Sequence, residues 1–158
     1  MLNTNLNEYR KMTAQEVWDE IDWNYGINAD SIVYRLETDE YNVMVSATNY
    51  DDPFPVGIEC VCEVEDASNG DLIAQGFGDT AEQALLDAAV EMVGTDVLRE
   101  EENCEDAVNS IAYEAYQAIH GETPMFMMDV EEMDKLIALA RTYVKRRGHF
   151  FGIEWEEF

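Results

Sequence analysis

The side chains of this chain that could do chemistry are three cysteines, two histidines and a large excess of carboxylates. Cys60 and Cys62 are spaced to lie on one face of a strand, and neither His120 nor His149 lies at ligand spacing from them. A structural zinc site needs a second pair of ligands, which is missing. An odd number of cysteines without a secretion signal favours reduced thiols. We therefore expect all three cysteines to be free thiols, with Cys60 and Cys62 packed in a core, and we expect no metal and no cofactor.

Motifs of known catalytic machinery are missing from the sequence. There is no Gly-x-Ser-x-Gly elbow, Gly-rich phosphate loop, His-Glu-x-x-His pair or Cys–His nucleophile pattern. The stretch from Asp66 to Asp71 lacks the alternating aspartates and the final glutamate of a calcium loop, so turn chemistry explains it better. Carboxylates are so abundant that a general acid–base pair could be drawn almost anywhere, which makes such a pair uninformative. We therefore expect a protein without enzymatic activity.

The formal net charge is −26, from 35 acidic and 9 basic residues. Between Leu36 and Asp134 there are 26 acidic residues and one base, Arg99, whereas five bases lie between Lys135 and Arg147. Self-repulsion opposes compaction, and acidification for solubility alone would intersperse the two signs. The segregation predicts a surface that binds a basic protein. It disfavours direct nucleic-acid binding, because phosphates must be neutralised by Lys and Arg.

Three groups of carboxylates are predicted to form this partner-binding surface: one on a strand, one on the following helix, and a dense one near position 103. Alternate residues of a strand lie about 7 Å apart, where two like charges repel by about 0.6 kcal/mol in water. A basic partner would relieve the accumulated repulsion. The predicted contact residues are Glu59, Glu63, Glu65, Glu82, Asp87, Glu91, Glu100, Glu101, Glu102, Glu105 and Asp106.

Hydrophobic periodicity and turn residues predict the elements that position these groups. A capping box at Thr13–Glu16 starts a first helix that Gly26 can end. Alternation predicts strands over residues 41–50, 56–66 and 72–77, with a hairpin turn at Ser68–Asp71. Residues 31–36 are compatible with a short additional strand.

Three helices are predicted after the strands. The first follows a second capping box at Asp79–Glu82 and stops at Gly94. The next begins either near Val97 or after an acidic break near Cys104, and ends at His120. The last runs from Asp129 to Gly148, with its C-terminal Lys145-Arg146-Arg147 complementing the helix dipole. Its predicted inward residues are Val130, Met133, Leu136, Ile137, Ala140, Tyr143 and Val144.

The predicted fold class is therefore α+β, with a three-stranded antiparallel sheet packed with helices in the order α-β-β-β-α, followed by two C-terminal helices. The α-β-β-β-α domain spans residues 1–94. A C-terminal helical part with an aromatic, acidic tail spans residues 95–158 and is expected to pack on the first part as one unit. No apolar run reaches 18 residues, so no membrane span is expected. The N-terminus lacks a signal peptide pattern, so we expect a cytoplasmic protein, in the host cytoplasm if phage-encoded.

Residues 74–84, Ala-Gln-Gly-Phe-Gly-Asp-Thr-Ala-Glu-Gln-Ala, resemble the third strand and last helix of double-stranded-RNA-binding domains. They are similar as well to a small phage αβββα sandwich family whose helix starts Gly-x-Thr-x-x-x-Ala. The resemblance covers residues 13–93, is specific over residues 76–89, and implies the α-β-β-β-α fold. The RNA-binding family carries lysines at that helix start, where this chain has Asp79, Glu82 and Asp87. The resemblance therefore argues against an RNA ligand.

In size, charge and lack of catalytic groups, the chain is similar to phage proteins that mimic DNA and block restriction, CRISPR or transcription proteins. A rigid array of carboxylates can occupy a cleft that is built for DNA phosphates. We therefore expect a phage-encoded inhibitor of host defence that binds the basic nucleic-acid cleft of a host protein. A homodimer with two-fold symmetry would lengthen the acidic surface. A solvated surface adapted to high salt is the alternative origin of the acidity.

The tail Glu154-Trp155-Glu156-Glu157-Phe158 supports a second hypothesis, a non-catalytic protein–protein interaction module. It is similar to the C-termini of bacterial single-strand-binding proteins, whose terminal Phe enters a pocket edged by basic residues. Trp155 and Phe158 are the predicted tail contacts. Alternatively, Phe151, Ile153 and Trp155 continue an alternating strand or pack on the core.

Overall fold

The computed structural model describes residues 8–13, 15–16, 32–47 and 60–153. The chain divides between Ala88 and Ala89 into two compact units. The N-terminal one is called the sheet unit and the C-terminal one the helical unit. The predicted tail contacts Trp155 and Phe158, and the predicted contact Glu59, lie outside the described residues.

The sheet unit contains an antiparallel sheet of five strands that are adjacent in chain order: β1 (Arg10–Lys11), β2 (Ile32–Glu37), β3 (Tyr41–Ala47), β4 (Cys60–Asp66) and β5 (Leu72–Gly78). The α+β class is confirmed, but the prediction of three strands was wrong. Two residues in β1 are too few to produce an alternating pattern. The apolar run that opens β2 is ambiguous by itself, and pairing with β3 makes it a strand.

One face of the sheet is apolar because alternate residues of the central strands are apolar. Val43 and Val45 of β3 lie opposite Val64 and Cys62 of β4, and all four are buried. Residues directly opposite each other share a face of an antiparallel sheet. The predicted burial of Cys60 and Cys62 is thereby confirmed. On the other face, Met12 and Val33 form a smaller cluster together with Met44.

The hairpin predicted at Ser68–Asp71 is confirmed between β4 and β5. Gly70 has φ = 76°, a value that glycine adopts readily. Asp66 Oδ1 accepts hydrogen bonds from the Ser68 hydroxyl at 2.6 Å and the Ser68 N–H at 2.8 Å. These two bonds lower the pKa of Asp66. The carboxylate of Asp66 therefore holds the turn in place.

Three helices follow the sheet: α1 (Ala81–Glu100), α2 (Cys104–His120) and α3 (Val130–Arg147). The two helices predicted after the first are confirmed, and of the two starts considered for α2, the one near Cys104 is correct. The prediction that α1 stops at Gly94 was wrong, because the helix continues for another six residues. At Gly94 the missing side chain leaves room for the Tyr143 ring, so this glycine serves packing.

The capping box at Thr13–Glu16 is confirmed. The Glu16 N–H donates to Thr13 Oγ1 and the Thr13 N–H donates to Glu16 Oε1, each at 3.2 Å. The remainder of that predicted helix, beyond Gln15 and Glu16, lies outside the described residues. The second box was predicted one residue too early, since Thr80 Oγ1 accepts the Gln83 N–H at 3.1 Å. Asp79 and Thr80 are both capping residue types, and only the geometry distinguishes them.

The core of the helical unit is built by the apolar stripes of its helices. The face predicted for α2 is buried as expected: Val108, Ile111, Ala112, Ala115, Tyr116 and Ile119. In α3, Leu136, Ala140, Tyr143 and Val144 are buried. The inward prediction for Val130 was wrong, because its side chain is 71% exposed in the first turn. Within the described residues, no helix has the length and apolar character needed to cross a bilayer.

Candidate interaction surface

The densest predicted carboxylate group lies where α1 meets α2. We call Glu100, Glu101, Glu102, Glu105 and Asp106 the acidic corner. α1 ends at Glu100 and α2 begins at Cys104, so these residues lie within two helix ends and their three-residue connection. Four of the five side chains are exposed, and Glu101 is half-buried. The structure therefore brings this part of the predicted site together.

Asn103 holds the acidic corner in shape as the N-cap of α2. Its Oδ1 accepts the Asp106 N–H at 2.9 Å, and its Nδ2 donates to Asp106 Oδ2 at 2.8 Å. Glu101 Oε1 accepts the Ser110 hydroxyl at 2.8 Å, which ties the connection to the second turn of α2. These bonds restrict the carboxylates of Asp106 and Glu101 before any partner arrives.

The helix dipoles act differently on the two halves of the acidic corner. Glu105 and Asp106 lie in the first turn of α2, where the partial positive charge of the helix end stabilises them. Glu100 is the last residue of α1, where the partial charge of the helix end is negative. Arg99 pairs with Asp96 at 3.8 Å across one turn of α1. The dipole of α1 therefore disfavours the negative charge of Glu100.

The other predicted contacts are more deeply engaged in the fold. Asp87 Oδ2 accepts the Phe77 N–H at 2.9 Å, and Glu91 forms an ion pair with Arg146. Glu63 and Glu65 are half-buried, and Glu63 is directly opposite Met44 of the neighbouring strand β3. Glu82 is exposed in the first turn of α1. These residues divide between the two units, so only the acidic corner forms a continuous described group.

The histidine and cysteine side chains have structural surroundings. His120 contacts the buried Glu132 through Nε2, and its ring lies 4.5 Å from that of Tyr116. This pair links the end of α2 to the start of α3. Burial raises the pKa of the Cys62 thiol far above its ordinary value, and the charges of Glu63 and Asp87 raise it further. A thiol in that environment remains protonated and is a poor nucleophile.

Alkylation of the folded protein with iodoacetamide should therefore modify Cys104 at least about tenfold faster than Cys60 or Cys62. Cys104 is half-buried at the start of α2, whereas the other two are buried in the sheet. Mass spectrometry of peptides after timed quenching measures the three rates, with a urea-unfolded sample as the control. Equal rates for all three thiols in the folded protein would contradict the packing described here.

Sequence reasoning missed a second surface in the helical unit. Between α2 and α3, Met125, Phe126 and Met127 form a single 3₁₀ turn with side chains that are 74%, 88% and 66% exposed. Together with Val130 we call these residues the apolar loop. The signal in the sequence was a run of large apolar residues after Pro124 that belongs to no helical stripe.

Hydrogen bonds on both sides hold the apolar loop in place. The Gln117 side chain accepts the Thr123 N–H at 2.8 Å and donates to the Thr123 carbonyl at 3.0 Å. The Asp129 N–H donates to the Tyr116 hydroxyl at 3.0 Å, and Met128 is buried. The three exposed side chains are therefore presented by a braced turn.

An open groove of about 450 Å³ lies beside the apolar loop. Its walls come from the second half of α2 and from the start of the α2–α3 connection. Because its lining combines apolar and polar side chains, it can accept a side chain that has both an apolar stem and a polar end. The lining residues are Tyr113, Gln117, Glu122, Thr123 and Pro124.

The cations of α3 are concentrated in its last turn, as the sequence predicted. Besides its pair with Glu91, Arg146 lies over the Tyr143 ring at 5.6 Å, and Arg147 approaches the same ring at 5.8 Å. These contacts hold the two guanidinium groups against the helical unit. The basic run therefore has a structural role in addition to complementing the helix dipole.

Comparison with known proteins finds no matching family model, no similar curated protein and no similar solved structure.

Proposed function

We propose that this chain is a non-catalytic, acidic binding protein that occupies the nucleic-acid cleft of a basic host protein, as a DNA mimic does. The acidic corner carries the proposal: it places four exposed carboxylates within seven positions, and the Asn103 cap holds one of them, Asp106. The charge segregation in the sequence supports it, since this corner lies inside the long stretch whose one base is Arg99.

Elementary electrostatics favours a basic partner for the acidic corner. The corner places five carboxylates within seven consecutive positions of the chain, with no base among them. Bringing Lys and Arg side chains to it releases counterions from both surfaces. The acids that the fold engages, Asp87 and Glu91, contribute less to this field.

Removing three charges from the acidic corner should weaken the complex and reduce its salt dependence. Glu100→Gln, Glu102→Gln and Glu105→Gln together preserve shape and the Asn103 cap. By analogy with phosphate contacts, we expect the slope of log affinity against log salt to fall by about one per carboxylate. The partner is first captured from a bacterial lysate at about 50 mM salt and identified. Its affinity for each variant is then measured by titration calorimetry at several salt concentrations.

A matched control removes three exposed acids from turns of the sheet unit: Asp39→Asn, Glu40→Gln and Asp71→Asn. This variant should bind like the wild type. The wild-type protein should also displace a labelled DNA duplex from the captured partner, and the acidic-corner variant should displace it at least about tenfold less well. A partner that holds duplex and protein at the same time would refute the proposed competition.

The exposed apolar loop favours a second candidate function, a protein–protein interaction module. The tail was predicted to serve that role, and Glu154–Phe158 lie outside the described residues. Deleting the tail tests that assignment, because an inhibitor acting through the acidic corner would retain its partner.

A further inference from the structure

In the apolar loop, large apolar side chains face solvent, although the chain has a well-packed core. Phe126 and its two neighbours are largely exposed, although the next residue, Met128, is buried. A contiguous exposed apolar patch on a folded protein marks an interaction site. The bracing by Gln117 and Tyr116 keeps the side chains outward, since the loop cannot fold back without breaking those bonds.

The charges around the apolar loop define the chemistry of its partner. Glu122, Asp129, Glu131 and Asp134 are exposed on either side of it. From Gly121 to Asp134 there is no Lys or Arg in the sequence. A partner that carries cations around its apolar face therefore complements the carboxylates that flank Phe126.

We propose that the apolar loop and the adjacent groove form a docking site for a basic amphipathic helix of a protein partner. The apolar face of that helix covers Phe126, Met125 and Met127, and one of its long side chains enters the groove lined by Tyr113 and Gln117. Lys and Arg on the flanks of the helix meet the acidic rim. Methionine side chains suit this role because they are flexible and polarisable, so they adapt to apolar faces of different shape.

This site is distinct from the acidic corner. The corner lies at the start of α2 and the apolar loop follows its end, so a helix of 17 residues, about 25 Å long, separates them along the chain. Preorganisation of the loop reduces the entropy lost on binding. The apolar loop therefore provides an apolar contact that charge mimicry alone does not require.

The test uses two labelled synthetic peptides of identical Leu/Lys composition and about 14 residues, or four helical turns. In one peptide leucines recur at helical spacing, and in the other the order is scrambled so that no apolar face forms. Fluorescence anisotropy at about 150 mM salt measures the affinity of the full chain for each. We expect the wild type to prefer the amphipathic peptide by at least about tenfold.

The double variant Phe126→Ser/Met127→Ser should reduce this preference to less than about threefold. Phe150→Ser is the matched control, because Phe150 is equally apolar and 73% exposed but lies after α3. It should retain the wild-type preference. Thermal unfolding followed by circular dichroism verifies that each variant is folded, and the single variant Phe126→Glu provides a second test of the same contact.

The result separates this inference from the proposed mimicry. Charge removal at the acidic corner would lower the affinity for both peptides equally. The substitutions in the apolar loop would remove only the preference for the amphipathic peptide. A wild-type protein that binds both peptides alike would overturn the docking site. So would a preference that survives Phe126→Ser/Met127→Ser. A wild-type dimer that this variant converts to a monomer in sedimentation analysis would assign the loop to a second copy of the chain and overturn the proposed partner.

Discussion

Gly76→Ala is expected to destabilise the sheet unit by at least about 3 kcal/mol, beyond the usual cost of an added methyl group. A Cβ at Gly76 would lie 2.3 Å from the Ala84 carbonyl oxygen and from the Ala88 nitrogen, and 2.8 Å from the Ala88 Cα. All three atoms belong to the backbone of α1, so no side-chain rotation can relieve the contact. The strand and the helix would have to separate. Urea unfolding followed by circular dichroism measures the loss.

Gln75→Ala is the matched control for this substitution. Gln75 neighbours Gly76 on β5 and points to the opposite face of the sheet. Its Nε2 is buried without a hydrogen-bond partner among the described residues, so removing the amide also removes an unsatisfied donor. We expect a change below about 1 kcal/mol. Gly76→Ala protein that unfolds at the wild-type urea concentration would show that β5 and α1 do not pack as closely as described.

Gly94→Ala is expected to destabilise the helical unit by about 2–3 kcal/mol, although alanine is the better helix former by about 1 kcal/mol. The added Cβ would lie 2.3 Å from Tyr143 Cε1 and 2.4 Å from Cζ. The Tyr143 ring is buried, and its hydroxyl is 3.2 Å from Thr95 Oγ1. The ring therefore has to leave a packed position and give up its hydrogen bond.

A double-mutant cycle with Tyr143→Ala isolates this contact. With the ring removed, Gly94→Ala should be neutral or stabilising by up to about 1 kcal/mol, because only the helix propensity remains. Thermal or urea unfolding of the four proteins gives the coupling free energy. Purely additive effects would mean that Tyr143 does not lie against Gly94.

The position of Gly94 matters for the proposed function because α1 continues beyond it. The extra turns bring Glu100 to the junction with α2, where it joins Glu105 and Asp106 in the acidic corner. A helix that ended at Gly94 would leave positions 95–103 as a connection without this arrangement.

Local patterns were sufficient for much of the fold. The alternation in β4 identified Cys60, Cys62 and Val64 as core residues, and the 3.6-residue periodicity of α2 identified its buried face. The hairpin and the Thr13–Glu16 box follow from turn and cap residues that interact within a few positions. Such features depend on residues that are close in the sequence, so the sequence alone is enough to predict them. The density of acids at positions 100–106 was visible for the same reason.

Features that depend on distant residues were settled only by tertiary structure. Glu91 pairs with Arg146, which is 55 residues away, and Gly94 accommodates Tyr143 from another helix. Neither the number of strands nor the exposure of Val130 follows from a local pattern, because each depends on which elements come to lie beside it. The apolar loop is the clearest case. Phe126 has the composition of a core residue, and only the packing of α2 and α3 around Met128 leaves it facing solvent.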